Sequence, residues 1–325
     1  MSDFQVIGLG ALNMDYLYRV DRILGDGEAV VKESITSPGG SAANTIYGLA
    51  KLGIKTGFAG AVGDDGDGFT LVKDFESAGV DTRSIRIKKG VRSGAVLCLT
   101  DTWEKRSLYV SPGANSLLEI GDIDLDYINS AEILHLSSFA GEAQLEMCAS
   151  LMNKLKPSVK ISFSPGALWA SKKVSAIEPI LRRTNILFLN YREITKMTGQ
   201  KLAMAAETCQ KLGVHTVVVT LGKGRTLEMK SGTVKNAVCY ISEAGKEYAA
   251  DTHAEREVEA DTTGAGDAFA AGFLYGQMRD KQPIECAWLG DIVARFVISK
   301  VGARPGYPML SDLNNKYSEL YLKPL

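Results

Sequence analysis

Short apolar runs alternate with segments of helical periodicity along most of this chain, and that alternation limits the available folds more than any other feature. The runs are 6–9, 56–62, 133–136, 160–163, 186–189 and 216–221. Several are apolar throughout, as strands buried on both faces of a sheet are. Between them, segments 42–52, 70–78, 143–155, 174–183 and 202–212 repeat apolar residues at three- and four-residue steps. Gly53, Gly79 and Gly213 follow three of these as stop signals. Strand alternating with helix predicts an α/β fold, a parallel sheet wrapped by helices. The 325 residues allow two domains or one large α/β unit.

Two stretches break the rhythm. In 13–36 Met14, Tyr16, Tyr18 and Val20 alternate with Asp15, Leu17 and Arg19, a strand period with no crossover helix. In 93–110 two further strands, 95–100 and 107–110, flank the polar turn 101–105. These predict a small antiparallel β-sheet projecting from the core. The core is assigned to 1–12, 37–90 and 113–325, and the projecting sheet to 13–36 and 91–112. Two arrangements are open for that sheet. One face covers a site while the other meets a second subunit in a homodimer, or both faces pack on the core. The charged stretch 243–259 reads as a solvated hairpin or loop.

Lys and Arg total 37 against 38 Asp and Glu, a net charge of −1. A chain so balanced has no bulk field for a phosphate backbone, which argues against nucleic acid as the main partner. Five widely spaced cysteines, Cys98, Cys148, Cys209, Cys239 and Cys286, form no C-x-x-C, so neither a disulfide framework nor a zinc site is expected. The first residues lack a basic stretch before their apolar run, and no apolar run reaches the ~18–20 residues of a membrane span. The expectation is a cytoplasmic protein without membrane contact.

Two familiar nucleotide signatures fail. Gly8-Leu9-Gly10-Ala11-Leu12-Asn13 follows a strand, but Asn13 replaces the third glycine and no helix pattern follows, which nearly excludes a dinucleotide-dependent oxidoreductase. Segment 221–226 lacks the spacing of a P-loop. The strongest signal is instead Asp261-Thr262-Thr263-Gly264-Ala265-Gly266-Asp267, opening an apolar helical segment. Small residues at 264–266 let backbone N–H groups approach an anion at the positive end of that helix. Asp267 in its first turn is placed to orient a hydroxyl and accept its proton. Taken alone, a glycine turn with an Asp cap is the plainer reading of a G-x-G-D.

This string resembles the second signature of the ribokinase-like (PfkB) carbohydrate kinases. The first signature is matched by Gly39-Gly40-Ser41-Ala42-Ala43-Asn44. Segments 10–15, 190–193 and 220–224 match in family order, so the resemblance spans essentially the whole chain. It implies a ribokinase-like core with a β lid, and roles residue by residue. Asp267 is implied as the general base, with Gly264, Ala265 and Gly266 as the anion hole. Asn13, Asp15, Gly39, Gly40 and Asn44 are implied to bind substrate hydroxyls under the lid. Asn190 and Glu193 belong to an N-x-x-E motif that organises Mg²⁺ and phosphates through water, Glu193 serving the metal. Thr220, Gly222 and Gly224, with Asn190, are implied to line the nucleotide site. Physically, Asn13 and Asp15 lie two apart on a strand and face one side, giving a diol both donors and an acceptor.

Departures from the family narrow the acceptor. Ser41 stands where some relatives carry Lys, and Ser162–Trp169 lacks the acid and the Arg of sugar-acid kinases. Gly306 stands where ribokinases often have Ser near a monovalent cation, so any potassium site lacks that side chain. The expected function is phosphoryl transfer from ATP, with Mg²⁺, to a small ribose- or nucleoside-type acceptor. A kinase of a sugar phosphate, or a non-catalytic sugar or nucleotide sensor, remains as the alternative. Arg92 and Arg106 are expected to be solvated strand-end charges, and are the suspects should an anionic acceptor prove best.

Overall fold

Every apolar run named above is a strand in the computed structural model, which describes residues 3–103, 105–251, 260–322 and 325. The strands of these residues are β1 (Phe4–Leu9), β2 (Asn13–Arg19), β3 (Glu33–Gly39), β4 (Thr56–Gly63), β5 (Asp81–Lys88), β6 (Gly94–Thr100) and β7 (Arg106–Ser111). They continue with β8 (Ala131–Ser137), β9 (Lys160–Ser164), β10 (Thr184–Asn190), β11 (Thr216–Glu228), β12 (Val234–Glu243) and β13 (Lys246–Ala250). The helices are α1 (Ser41–Lys51), α2 (Gly66–Ala78), α3 (Leu125–Ile128), α4 (Glu142–Met152), α5 (Gly166–Ala170) and α6 (Val174–Leu181). Then come α7 (Tyr191–Thr198), α8 (Leu202–Lys211), α9 (Ala265–Gln277), α10 (Pro283–Ile298) and α11 (Leu310–Tyr321). The helix α2 begins four residues before its apolar repeat because Asp65 caps it, accepting from the Gly68 N–H at 2.8 Å.

Nine strands form one sheet in the order β13-β12-β11-β10-β9-β8-β1-β4-β5. From β11 to β5 all neighbours run parallel. All eight residues of β4 are buried, as in a sheet covered on both faces. One apolar cluster joins the sheet to α4, α6 and α8, and a second joins the other face to α1, α9, α10 and α11. After β1 the chain builds toward β4 and β5, then returns to β8 on the other side. The strand order therefore reverses beside β1, and crevices for ligands open at such a point, beyond the strand carboxyl ends.

The expected end of β11 at Leu221 is corrected. Pairing with β12 breaks after Thr220 and resumes at Arg225, so Gly222–Gly224 form an irregularity inside a longer strand. The expected hairpin near 243–259 is seen in part: β12 and β13 pair antiparallel, while 252–259 lie outside the described residues. The polar-rich strand β5 had no apolar run to reveal it, since it lies at the sheet's edge.

The small sheet has the order β3-β2-β6-β7, with antiparallel outer pairs around a parallel β2–β6 pair. Register puts Asn13, Asp15, Val96 and Arg106 on one face, and Tyr16, Tyr18, Leu97 and Tyr109 on the other. The second face holds exposed apolar groups, with Leu97 38% and Tyr109 58% accessible.

At the crossing of α9 and α10 a Cβ on Gly272 would sit 2.4 Å from the Leu289 carbonyl oxygen. Helix propensity alone favours Ala over Gly by about 1 kcal/mol. Backbone overlap at this distance cannot be relieved by a rotamer, and overpacking costs roughly 1–3 kcal/mol. Gly272→Ala is therefore expected to lower the urea midpoint. A raised midpoint would show that the two helices separate freely.

Candidate active site

Gly40 and Gly264 shape the backbone of the site. Gly40 precedes α1 with φ 103°, and a Cβ there would lie 2.1 Å from the Ala11 carbonyl oxygen, so the β1–β2 connection and the start of α1 meet only through glycine. Gly264 caps α9 in the left-handed region with φ 77°, and no side chain caps that helix. The Ala265 N–H donates to the Thr262 carbonyl at 3.3 Å, and the remaining first-turn N–H groups are left for an anion, beside a positive helix end. Asp261 fixes the turn: one carboxylate oxygen accepts from the Thr263 N–H at 2.9 Å and its hydroxyl at 2.6 Å, the other from the Gly302 N–H at 3.0 Å. Despite burial, those bonds hold the Asp261 pKa below the usual carboxylate range.

Asp267 lies in the first turn of α9 and faces the first turn of α1. Its carboxylate accepts from the Ser41 hydroxyl at 2.7 Å and from the Asn44 amide at 2.9 Å. Its carbonyl accepts from the Thr45 hydroxyl at 3.2 Å. Burial pushes its pKa up to about 6, opposed by Asn44, Ser41 and the Arg304 guanidinium, while Glu193 adds to the rise. Ser41 was read only as the absence of a lysine; its contact with Asp267 joins residues 226 apart, and no local signal announces it.

Asp15 stands across the crevice. Burial raises its pKa to about 7, against the pull of Arg304 and Arg106 and with the repulsion of Asp267 and Asp261. A Cβ on Gly39 would lie 2.2 Å from an Asp15 carboxylate oxygen, which is why glycine stands opposite. Asn13 is oriented by Asn115, whose amide donates to its side-chain oxygen at 3.0 Å while also bonding both backbone groups of Leu12. The Asn13 amide N–H groups are thereby left for other partners. Asn115 was not singled out in the sequence, because its partners lie about a hundred residues away.

Arg92 and Arg106 are both exposed, Arg106 at the start of β7, as expected, but Arg106 also reaches the turn before α9: it donates to the Thr263 hydroxyl at 2.6 Å and lies 3.9 Å from Asp261. Among the buried charges, Arg304 is 3% exposed and bonds Asn44 at 3.0 Å, the Gly39 carbonyl at 3.2 Å and Asp74.

Asn190 and Thr220 are paired neighbours on β10 and β11, and Gly222 and Gly224 follow in the irregularity. Asn190 and Glu193 form a reciprocal capping box on α7: the Glu193 N–H donates to the Asn190 side chain, and the Asn190 N–H to one Glu193 oxygen, both at 2.9 Å. The other Glu193 oxygen carries no such bond, and burial raises this carboxyl's pKa. Among the described residues no cluster of three metal-ligating side chains exists. A lone carboxylate oxygen suits Mg²⁺ held largely by water and phosphate, the usual manner of that ion in nucleotide sites. At Gly306 a Cβ would lie 2.4 Å from the Phe296 carbonyl oxygen, so packing itself excludes the serine of some relatives. All five cysteines are buried and free, and no described helix is long and apolar enough to cross a membrane.

A hydrogen-bonded carboxylate beside an open helix end, across from a hydrogen-bonding strand face, is chemically suited to orienting a hydroxyl toward a phosphoryl group. The pfkB family carbohydrate kinase model matches residues 4–310, and the chain belongs to that family. It is 35% identical over 265 residues to an uncharacterized sugar kinase of Archaeoglobus fulgidus, covering 82% of this chain and 100% of that one. It is 29% identical over 303 residues to an ATP-dependent ribose-1-phosphate kinase of Halopiger xanaduensis, covering 92% and 94%. The fold matches that of Arabidopsis thaliana ribokinase complexed with ribose and ATP, with a TM-score of 0.81, 24% identity, and coverage of 96% and 98%. The chain is an ATP-dependent phosphotransferase acting on a hydroxyl of a sugar or nucleoside.

A general base accepts a proton only when ionised, so with Asp267 in that role its raised pKa would move the acid limb of the pH profile upward. An ordinary aspartate would place that limb near pH ~4. With Asp267 near 6 and Asp15 near 7, kcat/KM is expected to fall as pH drops from about 7 to about 6. The charge of Asp267 is itself one of the causes that raise Asp15. Initial rates across pH 4.5–9 check this, and a profile flat to pH ~5 would show that neither must be ionised in that range.

Proposed function

We propose that this kinase phosphorylates a neutral ribosyl compound, a nucleoside or free ribose, on a primary hydroxyl. The observation that carries this reading is Asp15 beside Asn13 on the face of β2 turned to Asp267. Among the described residues the Asp15 carboxylate accepts no hydrogen bond, and the Asn13 amide retains its donors. A vicinal diol needs that mixture. Gly39 and Gly40 contribute backbone to this side of the site, and their missing side chains make room for Asp15 and the Ala11 carbonyl.

In this reading Asp267 orients the attacking hydroxyl and takes its proton late, once bond formation to phosphorus has acidified it. Gly264 and Gly266 present N–H groups to the transferring phosphoryl group, while Ala265, whose N–H donates to the Thr262 carbonyl, holds the turn between them. Asn44 retains one amide N–H for the acceptor. Thr220, Gly222 and Gly224, with Asn190, line the nucleotide site. The free Glu193 oxygen holds water around Mg²⁺, which offsets phosphate charge when bound. Positioning and charge stabilisation supply most of the rate. The exposed face of the small sheet, with Leu97 and Tyr109, takes a second copy of the chain; sedimentation as a monomer would remove that part.

A second reading has its own observation. Arg106 faces the site from the small sheet, and one relative is named for a phosphorylated sugar. An acceptor phosphate would find a guanidinium there, the group suited to bidentate phosphate binding.

Asp267→Asn is expected to keep nucleotide binding, read by thermal shift, and to lose roughly 10²–10⁴ in kcat. Activity within threefold of the parent would sink the assignment of the base. An ADP-release screen across ribose, nucleosides and sugar phosphates separates the two acceptors, with a neutral riboside expected to give the highest kcat/KM. A sugar phosphate outpacing every riboside, with its KM raised at least tenfold by Arg106→Gln, would establish the second reading instead.

A further inference from the structure

Arg304 has three directions of donation, and each meets a different part of the molecule. Its Nε donates to the Asn44 side-chain oxygen at 3.0 Å, one Nη to the Gly39 carbonyl at 3.2 Å, and the other pairs with Asp74 of α2. Its flat face lies over Phe75 at 4.9 Å and Tyr47 at 5.2 Å. At 3% exposure this is a buried cation with a partner on each of its three nitrogens, held on the segment between α10 and α11.

The consequence falls on Asn44. Guanidinium only donates and carboxylate only accepts. An amide caught between Arg304 and Asp267 therefore has one satisfactory orientation, oxygen toward the arginine and N–H toward the aspartate. The observed amide has that orientation, donating to Asp267 at 2.9 Å. Without Arg304 the amide is free to flip, and its oxygen would then face the Asp267 carboxylate.

We propose that Arg304 is a positioning residue for phosphoryl transfer: it locks the Asn44 amide toward Asp267. The inference rests on the reading of Asp267 as the base. Arg304 touches neither Asp267 nor, with its fork occupied, the acceptor; it acts through Asn44. The other groups facing Asp267 are Ser41 and Thr45 from α1, Asp15 from β2, Glu193 from α7 and Tyr307 from the segment bearing Arg304. Of these charged or titratable neighbours only Arg304 favours the ionised carboxylate, so its loss shifts the acid limb of kcat toward higher pH.

The test uses Arg304→Met in the full chain, with Asp74→Asn/Arg304→Met as a companion that leaves no unpaired buried charge. Both are expected to lower kcat about tenfold, a fraction of what a general base contributes, with acceptor KM within threefold of the parent. The acid limb should move upward. In an Asn44→Ala background the same arginine change should alter kcat less than twofold, because the amide through which it acts is gone. Multiplicative losses in that background, or a raised acceptor KM with unchanged kcat, would overturn the proposal. If the single variant does not fold, the companion decides by the same criteria. If the companion also fails to fold, Arg304 is a structural residue and the proposal falls. Asp267→Asn run alongside separates the two inferences: an inactive Asp267→Asn with an unaffected Arg304→Met rejects the arginine's role alone.

Discussion

The first turn of α1 holds Asp267, and the site is organised around that contact. Ser41, Asn44 and Thr45 meet the carboxylate and carbonyl of one residue at the start of α9. A carboxylate withdrawn from water is costly unless hydrogen-bonded, and the cost is several kcal/mol when bonds are missing. Here the same bonds that meet this cost also dock α1 against α9 beside the strand-order reversal. Gly40 permits the docking, since any side chain there would collide with the Ala11 carbonyl. Thus the two signature segments, more than two hundred residues apart, serve one junction.

The chain declared its core plainly because burial on both faces leaves apolar runs. Thr56–Gly63 could be nothing but an inner strand, and its neighbours followed. The small sheet was legible for the opposite reason: alternation at Met14, Tyr16 and Tyr18 marks strands with two different faces. What stayed hidden depends on contacts rather than periodicity. Strand β5 is half polar because it lies at the edge, and β11 hides its second half behind the break at Gly222–Gly224. Segment 70–78 showed only the apolar part of α2, since its first turn is fixed by the Asp65 cap.

The candidate site divides along the same line. Asp267 and the glycines before it stood out as candidates because they lie in one short string, whereas Asp15 entered only through the family resemblance. Arg304 did not stand out: its partners Asn44 and Gly39 are 260 and 265 residues away, and in the sequence it stands in an unremarkable tail. Arg106 reads as a strand-end charge from its neighbours, and only the pairing of β6 with β7 turns it to the crevice. Asn190 and Glu193 satisfy a capping box as well as a motif, so the local pattern alone could not distinguish helix chemistry from phosphate chemistry.

Charge at the crevice constrains what enters it. Asp15, Asp261 and Asp267 face Arg106 and Arg304, and both guanidiniums already carry bonds to protein groups. The guanidiniums at this junction are therefore engaged in holding it together, which leaves the N–H groups of the α9 turn as its available positive dipoles. Such dipoles suit the small group in transfer. They are too few to balance a whole triphosphate, which is why a divalent ion beside Glu193 fits the site's electrostatics. The same balance bears on the acceptor. Arg106 joins the small sheet to the turn before α9 through Thr263 and Asp261, so a change of charge beside Asp15 bears directly on that contact.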